Sequence, residues 1–203
     1  MQVQRSKNNL IESQFLLTAY CHGYFPMADP KTGDINWYSP DPRTIFDLEN
    51  FHIPRSLRTI VKRQLYDIKI DQQFEAVIRG CAERRETWIS EAIIQSYLTL
   101  HSQGFAHSVE TWKNGTLVGG LYGVAIRGAF FGESMFSKMK DASKVALVEL
   151  VNRLRKQGFH LLDTQYSTPH LQLFGAIEIP RDEYLVRLKN ALEQTCTFTN
   201  EEL

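Results

Sequence analysis

The chain has 203 residues, 43% hydrophobic and 23% charged, which suits one large globular unit or a large one with a small companion and excludes a disordered polypeptide. Its 23 basic and 23 acidic residues cancel, so bulk charge draws it to neither nucleic acid nor membrane, and electrostatic steering has to come from a local cluster. Three cysteines without CxxC spacing speak against a disulfide framework or a zinc site, and the absence of an apolar leader or a long apolar run leads to the expectation of a soluble, cytoplasmic protein.

In chain order, apolar positions at helical spacing predict a helix from Ile11 to Cys21, stopped at His22-Gly23. Tyr24 to Gly33, punctuated by Pro26, Pro30 and Gly33, is expected to stay a loop, its aromatic residues either closing one end of a core or forming a binding rim. Ile35-Asn-Trp-Tyr38 and a Ser-Pro-Asp-Pro turn lead to Arg43, expected to be paired structurally, and to a strand at Thr44–Leu48.

Around residue 50 the character changes to helix, from Pro54 to Gln64. Arg55, Arg58, Lys62 and Arg63 stand there at relative positions 0, 3, 7 and 8, hence on one face. Such a stripe is either a solvated face or, since its like charges repel without an anionic partner, a surface for a phosphate backbone. Further helices are expected from Asp71 or Gln72 to Cys81 and from Ser90 to Gln103, with Trp88 just before the second as a core plug or an aromatic platform.

After Gly104 the period changes to that of strands. Ala106–Trp112, Leu117–Ile126 and Gly128–Phe136 are predicted to pair antiparallel through an Asn114-Gly115 turn and a turn near Arg127-Gly128. Glu133 is the one carboxylate in the last of these, either on a solvent face or placed to act, and Gly132 beside it suggests a bulge or a close approach. The amphipathic stretch Asp141–Gln157 predicts a helix, and Phe159–Tyr166 a strand, so the chain crosses over to a parallel neighbour. Asp163 and Gln165 share one face at that strand's end, where α/β folds place sites; alternatively they cap the following loop. A short helix from Pro169, a short strand to Pro180 and a helix from Arg181 to Glu193 follow, with the last ten residues expected to fray.

Together, Trp37-Tyr-Ser-Pro-Asp-Pro-Arg43, Gly80-Cys-Ala, Thr87-Trp-Ile89, Gly104-Phe-Ala-His-Ser-Val-Glu110, Gly119-Gly-Leu-Tyr-Gly123, Phe131-Gly-Glu-Ser-Met-Phe-Ser137, Ala142-Ser-Lys144, Asp163-Thr-Gln165 and Gly175-Ala-Ile-Glu-Ile-Pro-Arg181 resemble the bacterial leucyl/phenylalanyl-tRNA–protein transferases, from about Leu10 to Leu188. The resemblance implies an α+β fold: a small N-terminal domain (1–50) and a catalytic domain (51–203) with an acetyltransferase-like mixed sheet. It also implies a monomer that takes Leu or Phe, with tolerance of Met, from aminoacyl-tRNA to proteins beginning with Arg or Lys, with no metal or other cofactor and no membrane partner. Asp163, Gln165 and Glu133 are then the expected catalytic residues. Met27, Trp88, Tyr97, Leu121, Phe130, Gly132, Leu147, Leu154 and Leu162 are expected to bind the donor, and Arg55, Arg58, Lys62 and Arg63 the tRNA. The chain departs from the family pattern at Met27, where a tryptophan usually follows Phe-Pro. A coenzyme-A acetyltransferase is the rival within the fold, but Ser137–Ser143 holds no glycine-rich pyrophosphate loop. A non-catalytic RNA-binding module is the rival from another class.

Overall fold

The computed structural model describes residues 10–199. Helix α1 (Ser13–Cys21) ends at Gly23, whose φ of +78° only a glycine adopts at no steric cost. Strands β1 (Phe25–Ala28) and β2 (Ile35–Tyr38) follow, then β3 (Arg43–Phe46), α2 (Arg55–Lys62), β4 (Asp67–Ile70), α3 (Phe74–Ala82) and α4 (Glu91–Ser102). The Ser90 side chain caps α4 by accepting from the Ile93 N–H. The chain continues with β5 (Ala106–Lys113), β6 (Thr116–Ile126), β7 (Ala129–Ser137), α5 (Ala142–Lys156), β8 (Leu161–Gln165), α6 (Pro169–Gln172), β9 (Ala176–Ile179) and α7 (Arg181–Leu192). Asn114 and Gly115 both have positive φ, as the tight turn between β5 and β6 requires.

Seven strands form one mixed sheet in the order β4-β5-β6-β7-β8-β3-β9, antiparallel except for the expected parallel pair β7–β8 on either side of α5. Each face of the sheet carries its own core. Residues of α1, α3, α4 and α7 cover one side, with Tyr20, Val77, Ile93, Tyr97, Tyr122, Phe131 and Tyr184 among those packed there. Helix α5 covers the other, with Leu121, Phe130, Leu147, Leu150, Leu154 and Leu162. β3, although it precedes residue 50, lies inside this sheet between β8 and β9.

Two expectations need correction, and one strand, β4, was not expected. Phe25–Ala28 is no loop: it pairs antiparallel with Ile35–Tyr38, with Pro26 opposite Trp37. The outer edge of each strand in such a ribbon has no strand partner, and there the N–H that proline lacks is not needed. The edge strand β4 was hidden by its four-residue length. The fraying expected after Glu193 does not extend over the described residues, because Phe198 is buried to 3% exposure and stacks on Phe130 and His107; residues 200–203 lie outside the described part.

Candidate active site

β7 and β8 pair only over Ala129–Phe131, opposite Leu161–Asp163. Beyond that point β7 keeps its partner β6 on one side only, and a cleft of about 470 Å³ opens on the other. Its apolar part is formed by Leu121, Gly132, Leu147, Leu150 and Leu162, and Met27 and Trp88 line it as well. A Cβ built on Gly132 would meet nothing nearer than 3.5 Å, so the missing side chain leaves open volume beside Leu162.

The polar end is made by a β-bulge. The β6–β7 register shifts between Tyr122–Ser134 and Gly123–Gly132, leaving Glu133 as the extra residue on β7. The bulge turns Glu133 away from the leucine side and toward α1 and α4, where the Tyr20 hydroxyl donates to Glu133 Oε1 at 2.7 Å and the Tyr97 hydroxyl to Oε2 at 3.3 Å. The two tyrosine hydroxyls also contact each other. With both hydroxyl protons donated to the carboxylate, the contact between the hydroxyls has no proton of its own; a proton on Glu133, donated to one tyrosine, frees that tyrosine to donate to the other. Burial is the main cause that pushes the Glu133 carboxyl up to about 7, with Asp163 adding to it and the tyrosine hydrogen bonds and Arg43 opposing. Burial likewise raises both tyrosines well above the usual phenol range.

Gln165 joins this cluster, its Nε2 lying 3.5 Å from Glu133 Oε1. Its φ of +60° is held by its own N–H, which donates to Asp163 Oδ1 at 2.9 Å. Asp163 has no exposed surface: Arg43 donates from Nε at 2.9 Å and from a terminal nitrogen at 2.6 Å, and the Tyr184 hydroxyl donates at 2.8 Å. The guanidinium is equally buried, lies over the rings of Phe25 and Tyr184, and donates to the Gly23 carbonyl at 3.0 Å. The pair expected on one face is therefore present with its members in different positions, Gln165 lining the cleft and Asp163 sealed behind it.

Of the expected pocket residues, Met27, Trp88, Leu121, Gly132, Leu147 and Leu162 line the cleft. Phe130 and Leu154 are not among its lining and lie in the core beneath α5, while Tyr97 touches Glu133 instead of lining the cleft. Leu150 lines the cleft without having been singled out, because an apolar helix position carries no mark of its opening on a cavity. Tyr20, Arg43 and Tyr184 escaped as site residues because their partners lie 113, 120 and 21 positions away. Arg55, Arg58, Lys62 and Arg63 are all exposed on or just after α2, without an ion pair among the described residues.

No helix among the described residues is long and apolar enough to cross a membrane. The family model described as "Leucyl/phenylalanyl-tRNA protein transferase" matches residues 45–189, and that of the same family's N-terminal domain matches residues 11–41. The leucyl/phenylalanyl-tRNA–protein transferase of Gloeobacter violaceus is 51% identical over 91% of this chain and 96% of its own. That of Herpetosiphon aurantiacus is 53% identical over 93% and 98%. Among solved structures, PaiA N-acetyltransferase from Thermoplasma acidophilum in complex with coenzyme A aligns with 46% of this chain and 75% of its own, at 18% identity and a TM-score of 0.32. With a shared model over most of its length and relatives more than half identical to it, the chain belongs to the leucyl/phenylalanyl-tRNA–protein transferase family.

Proposed function

We propose that this protein transfers leucine or phenylalanine, and to a lesser extent methionine, from aminoacyl-tRNA to the N-terminal Arg or Lys of proteins, marking them for degradation, and that it works as a cytoplasmic monomer. The observation that carries this reading is a single cleft that joins an apolar floor to one carboxylate, in a chain of this family. The floor suits an apolar side chain of leucine size or an aromatic ring. Since such a pocket separates neighbours by only about 1–3 kcal/mol per methylene, methionine is accepted beside leucine and phenylalanine. Met27 and Trp88 support the donor's terminal base, and the cations on α2 meet the phosphates of the tRNA body.

The reaction needs no covalent enzyme intermediate. The acceptor's amine attacks the ester carbonyl, a C–N bond forms, the C–O bond to the ribose breaks, and the ribose oxygen leaves with a proton. Glu133 pairs in its ionised form with the cationic acceptor, and its raised pKa near 7 lets it exchange a proton in the same range as the amine. Gln165 orients the reacting groups, and Asp163 acts through Gln165 and Arg43 without touching the substrate. The test is incubation with leucyl-, phenylalanyl- or methionyl-tRNA and peptides beginning with Arg, Lys or Ala. Transfer to Arg and Lys peptides is expected. No transfer from any charged tRNA, together with acetyl transfer from acetyl-CoA, would sink the proposal.

A further inference from the structure

The cleft shares Arg84 and Met135 with a second hollow of about 270 Å³, also lined by Glu83, Phe136 and Lys138. From Lys138 the loop Lys138-Met139-Lys140 runs toward Tyr66, whose hydroxyl donates to the Lys140 carbonyl at 2.7 Å. Tyr66 follows Arg63, the last cation of the α2 face, by three positions. Arg84, Lys138 and Lys140 thus continue the basic face of α2 to the mouth of the cleft. Acidic neighbours do not cancel them. Glu83 lies 3.9 Å from the Lys138 ammonium, but both side chains are more than half exposed, which makes the pair weak, and Asp141 is taken up by Lys144 at 2.7 Å.

The loop is held in place. The Lys138 and Met139 N–H groups donate to the Val118 carbonyl at 2.7 and 3.2 Å. The Ser137 hydroxyl donates to the Met139 carbonyl at 2.9 Å and accepts from the Ser143 N–H at 3.0 Å. This anchored backbone turns two lysines outward with Met139, 43% exposed, between them. Cations at intervals with an apolar, polarisable surface between them are what a single-stranded nucleic acid binds, phosphates on the charges and a base on the apolar group. A peptide acceptor that is itself cationic finds no complement there.

We propose that Lys138, Met139 and Lys140, with Arg84, form a track for the single-stranded 3′ end of the donor RNA between the α2 face and the cleft. The proposal rests on the reading that the donor is an aminoacyl-tRNA. Three donors test it: full leucyl-tRNA, a 3′-leucylated CCA trinucleotide and leucyl-adenosine. The Lys138→Ala/Lys140→Ala double variant is expected to raise KM about tenfold for the first two donors with kcat unchanged, and to leave leucyl-adenosine transfer as in the unaltered protein. The slope of log affinity for the trinucleotide against log salt should become shallower by about 1.4, two single-strand phosphate contacts. Met139→Ser should weaken the trinucleotide severalfold without changing that slope. An unchanged KM for the trinucleotide, or an equal loss with leucyl-adenosine, overturns the track. Absence of transfer from all three donors by the unaltered protein would instead overturn the reading beneath it.

Discussion

Asp163 and Glu133 lie close together in the molecule but carry opposite consequences for stability. Asp163 and Arg43 form a fully buried ion pair with Tyr184 and Gln165 completing the carboxylate's hydrogen bonds. Removing one charge strands the other, at a cost typically of about 3–5 kcal/mol. Asp163→Asn, which looks harmless at a strand end, should therefore lower the thermal midpoint by roughly 10 °C. Adding Arg43→Met should recover much of the loss, because no lone charge then remains buried. A single variant that melts like the unaltered protein would show that the pair is not made in solution. Glu133 is the reverse case. Below its ordinary value near 4.5 both folded and unfolded chains hold the proton, and between there and about 7 only the folded chain keeps it. Its contribution is thus fully present at low pH and is lost as pH rises to about 7, by on the order of 3 kcal/mol. Urea unfolding at pH 5 and pH 8 should show this loss in the unaltered protein and a correspondingly smaller one in Glu133→Gln. Equal pH dependence in the two would mean that Glu133 is ionised throughout. The same variant should lose the preference for Arg and Lys acceptors over Ala.

The cleft depends on how β7 is built: three residues paired to β8, then a glycine, then a bulge. Gly132 leaves room over Leu162, and its backbone is in a region that other residues adopt, so a larger side chain there fills the cleft without straining the strand. Gly132→Leu should retain a normal melting temperature and reduce phenylalanine transfer at least tenfold more than leucine transfer, read as the ratio of kcat/KM values. An unchanged ratio would place the donor side chain elsewhere. Much of this element-level design was legible in the sequence. Helical period gave α1, α3, α4, α5 and α7 to within a few residues, alternation and the Asn114-Gly115 turn gave the central hairpins, and Gly132 beside a carboxylate pointed to the bulge. The β1–β2 ribbon was hidden because Pro26 and Pro30 read as breakers, and local pattern does not say whether a proline's missing N–H faces a partner. Arg43 could be suspected of pairing, but its partner lies 120 residues away, and no local rule joins two strands so distant. Phe130 and Leu154 carry the same apolar chemistry as Leu121 and Leu162, so sequence alone does not tell which of them face a cavity and which the core.

At the scale of the molecule, one sheet separates two cores, and the segment after α7 closes the second of them. Phe198 lies 5.1 Å from the ring of Phe130, 4.5 Å from His107 and 6.4 Å from Phe159, with the Arg153 guanidinium 5.5 Å from its ring centroid. Arg153 also donates to the Phe198 carbonyl at 2.9 Å, which ties the backbone of the tail to α5. The segment thus serves as the last piece of the hydrophobic layer under α5, the helix that also supplies Leu147 and Leu150 to the cleft. A buried phenylalanine replaced by alanine loses its transfer energy and leaves a cavity, together typically about 3–5 kcal/mol. A segment outside helix and strand relaxes more easily than a helix, so the low end of that range is expected for Phe198→Ala. Its urea midpoint should fall while the slope of the transition stays the same, since both proteins expose nearly the same surface on unfolding. Phe198→Leu, which keeps most of the apolar volume but removes the stacked ring, should fall between the two. If Phe198→Ala unfolds at the unaltered midpoint, the tail is not docked in solution and the second core is closed without it.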